Sequence, residues 1–87
     1  MYIILVYDIG ENRVGKALKI CRRFLTWIQN SVFEGELSES KLKELKLKLK
    51  ALIKEKEDSV LIFRFKDKRY FKKEAMGLEK NTDDTFL

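Results

Sequence analysis

Apolar and polar positions change their period along the chain in a way that separates strands from helices. Residues 2–9 are β-branched and aromatic with no polar position before Asp8, which is typical of a strand covered on both faces. After a turn at 10–12, the period lengthens and one helical face collects Val14, Ala17, Leu18, Cys21, Phe24 and Leu25. The opposite face of this predicted helix contains Lys16, Lys19 and Arg23.

The second half of the chain repeats the change of period. Residues 27–37 are strand-like, and the pattern fits either a tight hairpin or one kinked strand. Ser38 is the predicted N-cap of a second helix. Its apolar stripe contains Leu42, Leu45, Leu49, Leu52 and Ile53. Residues 46–50 alternate with period two, but the length of the segment and its straight-chain residues favour a helix. Further strands are predicted over 60–65 and from about Tyr70 to Met76, ending at Gly77.

This order of elements predicts an α+β fold of the ferredoxin-like βαββαβ type, with an antiparallel sheet and both helices on one face. We expect one domain over residues 1–77 and a polar C-terminal tail over 78–87. Two helices leave the other sheet face open, yet apolar residues are predicted to line it: Tyr2, Ile4, Val6, Val60 and Ile62. Because an exposed apolar face of this size is typical of an interface, the pattern predicts a homodimer.

The composition narrows the classes of function. The chain has 19 Lys and Arg against 14 Asp and Glu, a net charge of +5, which favours a polyanion such as nucleic acid or else a merely solvated face. Histidine is absent, which excludes Ser-His-Asp triads and histidine metal sites and leaves carboxylates with a hard metal ion for any hydrolysis. A single Cys21 excludes an internal disulfide. Without a signal sequence or a span-length apolar run, we expect a cytoplasmic protein with no membrane association.

Asp8 is the candidate catalytic and metal-binding residue. It shares the parity of Ile4 and Val6, so it belongs to the predicted open face. A two-fold axis near it would bring two Asp8 carboxylates together, and a divalent cation such as Mg²⁺ would relieve their repulsion. The alternative is that Asp8 only ends the strand and caps the helix that begins near Arg13.

Two further groups are candidates for contact with nucleic acid. Lys16, Lys19 and Arg23, with Arg13 before them, could bind phosphates without sequence preference. The alternative for these cations is an ordinary solvated helix face. The aromatic side chains of Tyr7, Trp27 and Phe33 could stack on bases, although packing in the core is the commoner role of aromatic residues in strands.

Three segments together resemble the CRISPR-associated Cas2 family. They are Tyr-Asp-Ile at 7–9, Gln-Asn-Ser-Val-Phe-Glu-Gly-Glu-Leu at 29–37, and Asp-Ser-Val at 58–60 after a Lys/Leu helix. The resemblance extends over essentially the whole chain, including Tyr-Phe-Lys-Lys-Glu at 70–74 and the ending Asn-Thr-Asp-Asp-Thr-Phe-Leu. The chain departs from the family at Thr26-Trp27, where many members have a basic residue.

The resemblance implies a homodimer in which the last strand of each chain pairs with the partner's sheet, and this would explain the apolar Phe86 and Leu87. It also implies that Asp8 from both chains binds a divalent metal, with endonuclease activity on single-stranded RNA or duplex DNA. Family members act with the adaptation integrase in inserting spacers into the CRISPR array, and Tyr7, Arg13 and Phe33 occupy positions that look functional in the family. A non-catalytic DNA-binding scaffold and a toxin-type ribonuclease are the alternative functions.

Overall fold

The computed structural model describes residues 1–80, and its elements follow the predicted order. All four strands and both α-helices lie within the first 65 residues, in the order strand, helix, hairpin, helix, strand. The elements are β1 (Tyr2–Asp8), α1 (Glu11–Arg22), β2 (Thr26–Gln29), β3 (Val32–Glu36), α2 (Glu39–Leu52), β4 (Ser59–Phe65) and a short 3₁₀ turn (Lys68–Tyr70). The α+β architecture predicted from the sequence is therefore confirmed.

The four strands form one antiparallel sheet in the order β2-β3-β1-β4, with β1 at its centre. Leu5 is opposite both Phe33 of β3 and Ile62 of β4. The stretch over 27–37 is a hairpin and not a kinked strand, and its turn includes Asn30 with a left-handed φ of 44°. This turn lies beside the end of β1, because the Tyr7 amide donates to the Ser31 carbonyl oxygen at 3.1 Å.

The core fills the space between the sheet and the two helices. Its largest fully buried side chains are those of Ile3, Leu5, Cys21, Phe33 and Leu45. Burial raises the pKa of the Cys21 thiol to about 12, as expected of a small core residue. Ser38 caps α2 as predicted, since its hydroxyl oxygen accepts a hydrogen bond from the Lys41 amide at 3.2 Å.

The open face of the sheet has the predicted apolar character but different members in β4. Ile4 and Val6 are half-buried there, in agreement with the parity of β1. Val60 and Ile62 instead pack against the core, because they are opposite Tyr7 and Leu5, and the prediction for both is wrong. The exposed apolar residues of β4 are Leu61 and Phe63, at 55% and 49% exposure.

The strand predicted from Tyr70 to Met76 does not form within the described residues. The Asp67 carboxylate accepts a hydrogen bond from the Arg69 amide at 2.8 Å and starts a 3₁₀ turn in place of a hairpin. Phe71 then lies on the open face, with its ring 5.2 Å from that of Tyr2. The predicted pairing of the tail with a partner, including Phe86 and Leu87, concerns residues outside the described part.

Neither α1 nor α2, the two α-helices in residues 1–80, has the length and apolar character needed to cross a bilayer.

Candidate nucleic-acid and metal site

Asp8 lies at the carboxyl end of β1, opposite Ser59 of β4, with an exposed side chain. Within residues 1–80 its carboxylate makes no hydrogen bond and no ion pair. Helix α1 has Gly10 as its N-cap and no side-chain cap, so the alternative role of Asp8 as a helix cap is wrong. The carboxylate is therefore available to a ligand or a metal ion.

Asp58, which precedes β4, is the carboxylate that organises the neighbouring backbone. Its oxygens accept hydrogen bonds from the amides of Gly10 and Lys54, each at 2.8 Å. They also accept from Arg13, through Nε at 2.7 Å and Nη2 at 2.8 Å. Asp58 thus ties the loop that follows Asp8 to the loop that begins β4.

The Arg13–Asp58 pair is buried and stays charged. The Arg13 guanidinium is the largest influence on the pKa of Asp58 and holds it well below the usual carboxyl range. The two backbone amides lower that pKa further, while burial opposes the change. Reciprocally, the hydrogen bond to Asp58 raises the pKa of Arg13. An arginine committed to this pair is not free to bind phosphate.

The prediction that Arg13 binds phosphate is therefore wrong, and Arg13 is a positioning residue. Only 8% of its surface is exposed, and Nη2 also contacts Glu57 at 3.3 Å. One signal in the sequence could have shown this, because Arg13 lies four residues before Ala17 on the apolar face of α1. Its partner could not have been found, since 45 residues separate Arg13 from Asp58.

Tyr7 and Phe33 also lie in the core, and their predicted contact with nucleic acid is not compatible with this placement. The two ring centroids are 5.8 Å apart, on the helix-covered side of the sheet. Burial raises the pKa of the Tyr7 hydroxyl. Tyr7 lies on the same face of β1 as the buried Leu5, and Phe33 is opposite Leu5 in β3. Neither residue therefore presents a ring face to solvent on which a base could stack.

The cations Lys16, Lys19 and Arg23 are exposed on α1, as predicted. In the described part of the chain none of the three forms an ion pair. Helix geometry places them along one side of α1 at spacings of three and four residues. They form a basic strip, hereafter the α1 basic strip, that begins on the helix following Asp8.

One further feature joins Trp27, a candidate for stacking on bases, to Arg22, which was not predicted as part of a site. The Arg22 guanidinium lies over the Trp27 ring, 5.9 Å from its centroid. Trp27 is in the edge strand β2, which is the next element of the chain after α1. One sign of this feature was present in the sequence. At Thr26-Trp27 the chain departs from the family that it resembles, and the departure places an aromatic residue just after a basic helix.

Residues 1–80 of one chain do not by themselves assemble a complete metal site. Among residues 1–80, no group of three Cys, Asp or Glu side chains is placed to hold a metal ion. Mg²⁺ commonly binds one or two carboxylates and completes its shell with water and substrate phosphate oxygens. Two Asp8 carboxylates related by a two-fold axis would fit this requirement.

The fold and the site together define a small ferredoxin-like protein with one free carboxylate at a sheet end and an adjacent basic helix. The family model described as CRISPR associated protein Cas2 matches residues 1–73. The chain belongs to this family.

Curated relatives and solved structures agree with this assignment. A protein of Thermotoga maritima named CRISPR-associated endoribonuclease Cas2 is 52% identical over 83 residues, which cover 95% of each chain. A protein of Archaeoglobus fulgidus named CRISPR-associated endoribonuclease Cas2 2 is 49% identical over 92% of this chain and 87% of its own. A crystal structure of Cas2 superposes with a TM-score of 0.86 at 47% identity, covering 93% of this chain and 91% of the other. Streptococcus pyogenes Cas2 superposes with a TM-score of 0.77 at 26% identity, over 88% of this chain and 100% of the other.

Proposed function

We propose that this chain is a metal-dependent endonuclease of a CRISPR system, active as a homodimer on single-stranded RNA or duplex DNA. The observation on which this rests is the free, exposed Asp8 carboxylate at the edge of an apolar sheet face that neither helix of residues 1–80 covers. The endoribonuclease names of the relatives support hydrolysis of phosphodiester bonds as the reaction.

The open sheet face supports the dimer. Leu61 and Phe63 are large, about half exposed and adjacent to Ile4 and Val6 of β1. Burying such a face against a second copy removes apolar surface from water at roughly 25 cal/mol per Å². Asp8 lies at the end of this same face, so a two-fold axis near it would bring the carboxylates of both chains together.

The chemistry divides between the carboxylates and the cations. The paired Asp8 side chains would hold the divalent ion, with Mg²⁺ as the expected cofactor, and orient it towards the scissile phosphate. When bound, Mg²⁺ would activate water and neutralise charge on the phosphate. Lys16, Lys19 and Arg23 would hold the nucleic-acid backbone through its phosphates, which gives affinity without sequence preference.

Cleavage assays of Asp8 variants test the nuclease proposal. Purified wild type, Asp8→Asn and Asp8→Ala are incubated with single-stranded RNA and duplex DNA, with and without Mg²⁺. We expect cleavage that requires the metal and falls at least 100-fold in both variants, while the dimer and binding persist. Glu55→Gln, which changes an exposed carboxylate that the proposed site does not use, is the matched control. Full activity of Asp8→Asn, or activity unaffected by chelation, would contradict the proposal.

The α1 basic strip favours a second function, in which the dimer binds duplex DNA and works with an adaptation integrase in spacer insertion. Replacing Lys16 and Lys19 together with Glu should weaken duplex binding and spacer integration and flatten the dependence of affinity on salt. The matched control is the double replacement of Lys43 and Lys46 in α2, which are equally exposed. Equal losses in both double variants would show a general charge effect and count against a role specific to α1.

A further inference from the structure

We propose that Arg22 and Trp27 form a stacking site for an unpaired base of a single-stranded nucleic acid. This inference rests on the proposed function and deepens it, since it assigns a substrate class and a second contact beyond the Asp8 site.

Trp27 lies in the edge strand of the sheet, where its ring is partly exposed. Trp27 is opposite Phe33, on the helix-covered side of the edge strand β2, and its side chain is only partly buried. The indole N–H donates to the Asn30 carbonyl oxygen at 2.9 Å, within the hairpin turn. This hydrogen bond satisfies the polar atom of the ring and restricts its orientation. The ring is therefore held in place before any ligand arrives, which lowers the entropy lost on binding.

Arg22 adds a second planar group to the ring. Its guanidinium lies 5.9 Å from the indole centroid, within the range of a cation–π contact, and the residue is exposed. In the described chain no carboxylate forms an ion pair with Arg22. Arginine planes and aromatic rings are the two surfaces on which proteins stack unpaired bases. The contact between Arg22 and Trp27 brings both kinds of surface to one place.

Neighbouring charges complete the arrangement. Lys19 and Arg23 are exposed beside Arg22 in the last turn and C-cap of α1. Cations that follow a phosphate backbone, combined with aromatic surfaces for bases, characterise proteins that bind single strands. Bases of a duplex are already stacked on one another and present no free face, so the arrangement favours single-stranded over double-stranded ligand.

The site lies within reach of Asp8. Trp27 is opposite Phe33, which is opposite Leu5, and Asp8 follows Leu5 by three residues. With strands about 4.8 Å apart and a rise of about 3.4 Å per residue, the Cα atoms of Trp27 and Asp8 are roughly 14 Å apart. Asp8 lies on the other sheet face, so a strand bound at both places would pass around the end of the sheet where the α1 basic strip begins.

The chain contains a single tryptophan, so its fluorescence reports on this site alone. The full-length protein is titrated with an unlabelled oligouridine of 15 nucleotides and, separately, with a duplex of the same length. The buffer contains EDTA so that no cleavage occurs. We expect saturable quenching of Trp27 by the single strand. Binding measured in parallel by anisotropy of a labelled oligouridine should weaken about 5- to 150-fold in Trp27→Leu, and less in Trp27→Phe.

Arg22→Gln provides an independent variant, because Arg22 is exposed and its replacement leaves the core intact while Trp27 still reports. Weaker binding by Arg22→Gln and retained quenching by Asp8→Asn would support the proposal even if no nuclease activity were found. Unchanged Trp27 fluorescence at concentrations where anisotropy shows bound oligouridine would overturn it. Equal affinity of wild type and Trp27→Leu, or equal quenching by the duplex, would also overturn it.

Discussion

Phe33 provides the sharpest test of the distinction between core and contact residues. Its side chain has no exposed surface, it is opposite Leu5, and its ring centroid is 5.8 Å from that of Tyr7. Its burial implies that replacement acts on the free energy of unfolding and not on a surface that binds nucleic acid.

The magnitude follows from the volume removed. Phe33→Ala should lower the free energy of unfolding by about 3–5 kcal/mol, since a core phenylalanine leaves a cavity that neighbours fill only partly. A chain of this size is expected to have a total stability of about 4–13 kcal/mol, so the alanine variant would be close to unfolding. Phe33→Leu should cost about 1–2 kcal/mol and lower the Tm by about 4–16 °C.

Thermal unfolding followed by circular dichroism measures this effect at a fixed chain concentration, because the proposed dimerisation would make the Tm depend on concentration. The leucine variant should bind oligouridine with wild-type affinity at 25 °C, since it stays folded there. A Phe33→Leu protein with an unchanged Tm and at least tenfold weaker binding would refute the assignment of Phe33 to the core and restore the earlier prediction of base contact.

Three further outcomes follow from the buried pair and the open face. Asp58→Ala should lower the Tm by about 10 °C or more, because it leaves the Arg13 charge buried without its partner; an unchanged Tm would show that the pair is not structural. Since the native pKa of Asp58 is depressed, its contribution to stability is complete above the ordinary carboxyl pKa near 4 and is lost as the pH falls towards the native value. Urea midpoints of wild type should therefore fall between pH 5 and pH 2 more steeply than those of Asp58→Asn, and parallel curves would contradict this. Leu61→Lys should shift the sedimentation coefficient from dimer to monomer, whereas Leu47→Lys, an equally exposed change on α2, should not; a dimeric Leu61→Lys protein would move the interface elsewhere.

The helices and strands in which apolar residues recur with a clear period could be predicted from the sequence, because that pattern depends only on neighbouring residues. Leu42, Leu45 and Leu49 repeat at helical spacing, and Ser38 caps the helix that they define. The placement of Asp8 on the open face followed from the parity of β1 alone. Each of these predictions depends on residues within one turn or one strand of each other.

The predictions that failed depend on contacts between distant parts of the chain or on a single step in register. The face of Val60 and Ile62 is set by pairing with β1, and a shift of one residue exchanges Leu61 for Ile62 on the open face. Arg13 looked like a surface cation because its partner, Asp58, is far away in sequence. The last predicted strand depended on a hairpin that the Asp67 cap replaces with a 3₁₀ turn.

In the proposed dimer, two chains share one metal site through their Asp8 carboxylates. Titration of the wild-type dimer with Mn²⁺, followed by electron paramagnetic resonance of the free ion, measures the number of ions bound per chain. We expect one tightly bound ion for every two chains in wild type and none in Asp8→Asn, with the Glu55→Gln control unchanged. One ion per chain, or the same stoichiometry in Asp8→Asn, would contradict a site built from paired Asp8 residues.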